Sequence, residues 1–119
     1  MSLATHHEPA IHVDRDEFED KVIAASHQRP VLVDFWADWC APCLTLGPVL
    51  AHLAEEQRER FQLVKVEVDE GENMKLAGHY KLRGFPTCIL FVNGDEVARF
   101  AGHRPMPWLR EFLDTNVPS

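Results

Sequence analysis

The apolar positions of this chain change period several times, and each change marks an element. Val31-Leu32-Val33-Asp34-Phe35-Trp36 is almost continuously apolar, the pattern of a strand covered on both faces in the middle of a sheet. Ahead of it, Phe18, Val22, Ile23 and Ala25 recur at helical spacing, with Asp14 and Glu17 at capping-box spacing before them. The reading is a helix over 15–28, closed before Pro30. Residues 10–13 fit a short first strand. After residue 40, Leu46, Val49, Leu50, Leu53 and Ala54 draw one stripe, predicting a helix over 40–58. Pro42 falls in its first turn, where a missing amide hydrogen matters little. Pro48 falls inside it, after Gly47, and is expected to kink it.

In the second half, Leu63, Val64, Val66 and Val68 predict a strand over 61–68, and the acidic turn Asp69-Glu70-Gly71-Glu72 precedes a short helix over 73–80. Residues 87–92 and 96–101 flank Asn93-Gly94, the strongest short signal for a β-hairpin. A last helix over 106–116 is expected to bury Trp108, Leu109, Phe112 and Leu113, and Trp36 also reads as core. The order is β-α-β-α-β-α-β-β-α. Alternating strands and helices imply parallel crossovers, and the hairpin adds antiparallel strands. An α/β fold follows, with a central mixed five-stranded sheet flanked by four helices. No repeat or linker interrupts it, so residues 10–119 read as one domain after a flexible tail over 1–9, where His6 and His7 are solvated.

A chain of 119 residues is long enough to bury one core without disulfide staples. The net charge of −7 argues against nucleic acid or an anionic membrane as partner. No stretch approaches the roughly 20 apolar residues of a membrane helix. Residues 1–13 contain no apolar run of the signal-peptide kind. Three cysteines are too few for a secreted disulfide scaffold and fit a reducing, cytoplasmic setting.

Two of those cysteines carry the chemistry. Trp39-Cys40-Ala41-Pro42-Cys43 stands where the buried strand runs into a helix. A sulfur at a helix start is stabilised as a thiolate by unpaired amides and the helix dipole, and a second thiol three residues on can resolve a mixed disulfide. Half of a zinc site is the competing reading, but it needs two more ligands, and Cys88 is the only cysteine left. Asp34 interrupts an apolar strand, where an ionised carboxylate is expensive and tends to hold its proton. The residues alone leave open whether it exchanges protons or is satisfied by its neighbours. Lys65, in a valine-rich strand, either meets that acid or snorkels outward. Pro86 by itself is a strand-starting proline.

At this point the chain resembles the thioredoxin family over nearly its whole length. Residues 31–37, Trp39-Cys40-Ala41-Pro42-Cys43, Gly47-Pro48, Val64-Lys65-Val66 with Asp69, Arg83-Gly84-Phe85-Pro86-Thr87 and Asn93-Gly94 occur in that family's order and spacing. The resemblance implies a thioredoxin fold and a protein-disulfide reductase that maintains redox homeostasis, with Cys40 as nucleophile and Cys43 as resolving thiol. It implies that Asp34 exchanges protons with Cys43 through water and that Lys65 tunes it. It further implies a cis bond before Pro86, with the backbone of Phe85 free to pair with a substrate strand. Trp39, Ala41, Pro42, Phe85, Pro86, Ala101 and Gly102 would bind substrate proteins. The expected system is a monomer without metal or bound cofactor. Its electrons come from NADPH through a flavin-containing thioredoxin reductase.

Some positions depart from the family pattern. Ala41 replaces the commonest glycine between the cysteines, and Leu44 stands where a basic residue is usual, which should weaken thiolate stabilisation. Cys88 reads as a buried inert thiol, with redox sensing or metal binding as the alternative. His103 reads as a surface residue that lies near enough to Gly102 to touch a substrate. Cys43-Leu44-Thr45-Leu46 with Pro48 also resembles the thioredoxin-like domain of co-chaperones that carry helical repeats, where it holds clients. Retention of both cysteines favours catalysis. A disulfide-forming oxidase would ask for an export signal and a histidine at the position of Pro42.

Overall fold

The computed structural model describes residues 8–118. Five strands form one sheet: β1 (Ala10–His12), β2 (Val31–Trp36), β3 (Gln62–Glu67), β4 (Thr87–Val92) and β5 (Asp95–Ala101). Their spatial order is β1-β3-β2-β4-β5. β3 runs parallel to β1 and β2, whereas β4 is antiparallel to both β2 and β5. The almost continuously apolar β2 is therefore the central strand. The chain is tied to the sheet just before β1: the carbonyls of Glu8 and Pro9 accept from Gln62 Nε2, and that of Pro9 also from the Leu63 amide.

Alternate residues of β2 feed two cores, as period-two geometry requires. Val31, Val33 and Phe35 pack with Phe18, Val22, Val64, Val66, Leu76 and Ile89 on one face. Leu32 packs with Leu46, Leu50, Leu53, Leu63, Leu90, Leu109 and Leu113 on the other. Helix α1 starts at Arg15–Phe18, widens into a π-helical stretch over Glu19–Ala24 and closes as a 3-10 turn at Ala25–His27. Phe18, Val22 and Ser26, four residues apart, stay buried throughout. Helix α2 spans Ala41–Glu56 as one helix through Pro48, α3 spans Met74–His79 and α4 spans Met106–Asn116.

The hairpin turns where expected. Asn93 and Gly94 have positive φ values of 52° and 85°, which this tight turn demands and glycine supplies without a Cβ penalty. Ser26 fastens the turn to the end of α1: its Oγ accepts from the Gly94 amide at 2.7 Å, and its carbonyl from the Asn93 amide at 3.0 Å.

Trp108 corrects one expectation. It is 39 % exposed, because α4 buries Leu109 and Leu113 and Trp108 lies about 100° around the helix from Leu109. Its ring stacks on Phe112 and meets Phe100 edge-on, with the Arg104 guanidinium 5.0 Å above it. Phe112 is half-buried. Trp36 packs at the edge of the first core and is also half-buried.

Asn73, just before α3, is fully buried and joins distant segments. Its Oδ1 accepts from the Arg15 amide at 2.7 Å, and its Nδ2 donates to Asp14 Oδ1 and the Glu67 carbonyl, each at 2.9 Å. Replacement by alanine strands these partners, so Asn73→Ala should lower stability by about 2–3 kcal/mol in urea unfolding. Hydrogen exchange should show the loss first at the Arg15 amide.

Candidate functional site

The junction between β2 and α2 positions the dithiol. Cys40 is extended (φ −98°, ψ 105°) and stands at the N-cap of α2. Cys40 and Cys43 form a disulfide with Cα atoms 5.2 Å apart. The Cys43 amide donates to Cys40 Sγ at 3.2 Å, so a helix-terminal N–H that has no carbonyl partner is aimed at the sulfur. No acidic residue occupies the first turn of α2, leaving the positive end of the dipole uncompensated. A reduced Cys40 in this setting is biased toward the thiolate. Cys43 lies deeper, 3 % exposed against 5 % for Cys40.

Around the sulfur the structure gathers backbone and apolar surface. Cys40 Sγ lies 3.4 Å from the Phe85 carbonyl oxygen. The Phe85–Pro86 peptide is cis, and Pro86 is buried while Phe85 is half-buried. The Gly102 amide donates to the Pro86 carbonyl at 2.9 Å, and Ala101 pairs with Thr87 across the hairpin. Trp39 is 63 % exposed, its ring edge-on to Phe85 at 6.1 Å and its Nε1–H donating to Asp69. Ala41, Pro42, Leu44, Ala101 and His103 are exposed, and Gly102 is half-buried.

Asp34, Lys65 and Cys88 occupy one row across three strands, because Asp34 is in register with Lys65 on β3 and with Cys88 on β4. Lys65 Nζ stands 4.0 Å from Asp34 Oδ2 and 4.9 Å from the centre of the Trp36 ring. The two sequence readings of Lys65 are thus combined: it meets the acid, and its side chain remains 21 % exposed. The Cys88 thiol donates to Asp34 Oδ1 at 3.8 Å. Asp34 is 1 % exposed. Burial raises its pKa from the usual 3.8 to about 6, partly offset by the Lys65 charge and the Cys88 hydrogen bond. Burial likewise raises Cys88 well above the ordinary thiol value, with the Asp34 carboxylate adding to the shift.

Two contacts were not legible in the chain: that between Cys88 and Asp34, and that between Trp39 and Asp69. Only the strand register, which pairs residues 54 positions apart, brings the first about. Among the described residues, no group of three His, Cys, Asp or Glu side chains is arranged to hold a metal ion. No helix among them is long and apolar enough to cross a membrane. The arrangement is that of a redox dithiol, with one sulfur at a helix start, a second behind it and a titratable acid in the neighbouring core.

The sequence profile of the thioredoxin family matches residues 9–115. A thioredoxin of Acidithiobacillus ferridurans is 38% identical over 107 residues, covering 90% of this chain and 95% of that protein. Thioredoxin C-2 of Corynebacterium nephridii is 39% identical over 102 residues, covering 86% of this chain and 91% of its own. A bifunctional thioredoxin reductase/thioredoxin of Mycobacterium leprae is 40% identical over 94 residues, 79% of this chain and 20% of that longer protein. With a match that runs through every strand of the sheet and relatives aligned almost end to end, the chain belongs to the thioredoxin family.

Proposed function

We propose that this thiol–disulfide oxidoreductase works as a general protein-disulfide reductase and so maintains redox homeostasis in the cytoplasm. The observation that carries this is the Cys40–Cys43 pair at the start of α2, with the Cys43 amide on Cys40 Sγ. The Cys40 thiolate attacks one sulfur of a substrate disulfide; that S–S bond breaks, and the other substrate sulfur leaves as a thiolate that takes up a proton. Cys43 then gives up its proton, through water, to the Asp34 carboxylate and attacks Cys40 Sγ. The mixed disulfide breaks and the second substrate sulfur leaves. The substrate gains two electrons and two protons, and the enzyme ends as the disulfide.

In this reading Lys65 holds Asp34 partly ionised by its charge. Trp39, Ala41, Pro42, Phe85, Pro86, Ala101 and Gly102 form the docking face, where an extended substrate segment adds to the Phe85 backbone. The apolar, exposed character of Trp39 and Leu44 suits brief contact with unfolded segments. The domain works alone, as a monomer over 10–119. Electrons return from NADPH through a flavin-containing thioredoxin reductase, a pairing supported by the Mycobacterium leprae relative, whose name joins the two activities.

The test is reduction of a protein disulfide driven by NADPH and thioredoxin reductase. The native chain should turn over, Cys40→Ser should fall to the uncatalysed rate, and Cys43→Ser should accumulate the covalent mixed disulfide. Equal, negligible rates for native chain and Cys40→Ser, with suppression of client aggregation by both, would instead assign the chain to the client-holding co-chaperone domains.

Asp34 must be ionised to accept a proton, so exchange should accelerate as pH rises through about 6. Asp34→Asn should slow it by roughly tenfold or more near neutral pH, read from stopped-flow resolution of the mixed disulfide. Stability gives an independent readout. Between 3.8 and about 6 the folded chain holds a proton that the unfolded chain has released, so stability falls as pH rises through this window. Asp34→Asn should therefore be more stable than the native chain at about pH 7, by on the order of 2–3 kcal/mol. Thermal unfolding should show that gain vanishing toward about pH 4.

A further inference from the structure

The carboxylate of Asp34 is poorly supplied with partners for a group so deeply buried. Its Oδ2 accepts no hydrogen bond among the described residues, and Lys65 Nζ is at the far limit of an ion pair, 4.0 Å away. Its Oδ1 accepts from Cys88 Sγ at 3.8 Å. That thiol comes from the antiparallel neighbour strand at the position directly opposite Asp34. Cys88 is 0 % exposed, beyond the reach of an external disulfide. Such a thiol is a poor nucleophile but a persistent donor, since it keeps its proton throughout the pH range in which Asp34 titrates.

We infer that Cys88 is a positioning residue for the reaction: its S–H holds Asp34 Oδ1 from across the strand pair and sets the pH at which the dithiol exchange switches on. This rests on the proposed role of Asp34 as proton acceptor. A hydrogen bond donated to a carboxylate favours the ionised form, which can receive the Cys43 proton. An S–H donates more weakly than an O–H, so the thiol holds the acid between two settings that a hydroxyl or a methyl would select.

The surroundings leave few competing causes. β3 presents Lys65 to Asp34, and β5 sets Phe100 opposite Cys88. β1 contributes His12, in register with Lys65 and exposed. The α2 helix carries Cys40 and Cys43 at its start, while His52, Glu55 and Glu56 are exposed, as are Arg110, Glu111 and Asp114 of α4. The rest of this face is apolar, with Leu46, Leu50, Leu109 and Leu113.

The experiment compares the full chain with Cys88→Ala, Cys88→Ser and Asp34→Asn. Carboxyl-carbon NMR titration reads Asp34 directly in the oxidised protein, and the pH profile of mixed-disulfide resolution reads its consequence. Cys88→Ala should raise the Asp34 midpoint by about half to one pH unit and carry the rate profile with it. Cys88→Ser, with the stronger donor, should move the midpoint below the native one. A midpoint that is the same in all three Asp34-containing proteins overturns the proposal. If Cys88→Ala does not fold, the serine variant decides alone: a hydroxyl is the stronger donor and must move the midpoint below the native one, and an unchanged serine midpoint overturns the proposal. An Asp34→Asn profile identical to the native one removes the relay and this proposal together. A changed Asp34→Asn profile beside an unchanged Cys88→Ala profile removes this proposal only.

Discussion

The chemistry of this protein depends on one sulfur set against the unpaired amides of a helix start. Cys40 accepts from the Cys43 amide because β2 ends and α2 begins within a few residues, and Cys40 falls at the N-cap. Moved one turn further into α2, the sulfur would face amides already bonded to carbonyls, and the stabilisation of its anion would fade. The turn is held from both sides. β2 is hydrogen-bonded to β3 and β4 along its length, and α2 is anchored by Leu46, Leu50 and Leu53 in the second core.

The same central strand puts an acid where water is scarce. On an edge strand Asp34 would be an ordinary solvated carboxylate. In β2 it is covered by α2 on one side and flanked by strands on both edges, and burial outweighs the Lys65 charge. The result is a group that titrates close to neutrality, where proton transfer to and from a thiol is most useful. The site therefore joins two opposite environments: amides that favour charge on Cys40, and an apolar core that disfavours it on Asp34.

The surface beside Cys40 is built from backbone as much as from side chains. The cis Phe85–Pro86 peptide, the Gly102 amide on the Pro86 carbonyl and the exposed Trp39 ring surround Cys40. Leu44 adds exposed apolar surface in the first turn of α2. Thiolate stabilisation is consequently left to the helix start, with no cation in the first turn of α2.

Local signals were enough for much of this. The run Val31–Trp36, apolar except for Asp34, announced a central strand, Asn93-Gly94 announced the hairpin, and the CxxC motif at a strand–helix junction announced the dithiol, since each depends on residues close in sequence. Other features depend on residues that meet only when the sheet assembles. The π-helical stretch of α1 over Glu19–Ala24 left no mark in the apolar spacing, and Phe18 just before it meets Tyr80 and Phe91 from distant segments. Trp108 read as core but lies at the rim, because its helix turned Leu109 and Leu113 inward. Asn73 looked like a helix start and is a buried clamp on α1. The pairing of Asp34 with Cys88 required a strand register set by the whole sheet, since side chains far apart in the chain become neighbours only through that alignment.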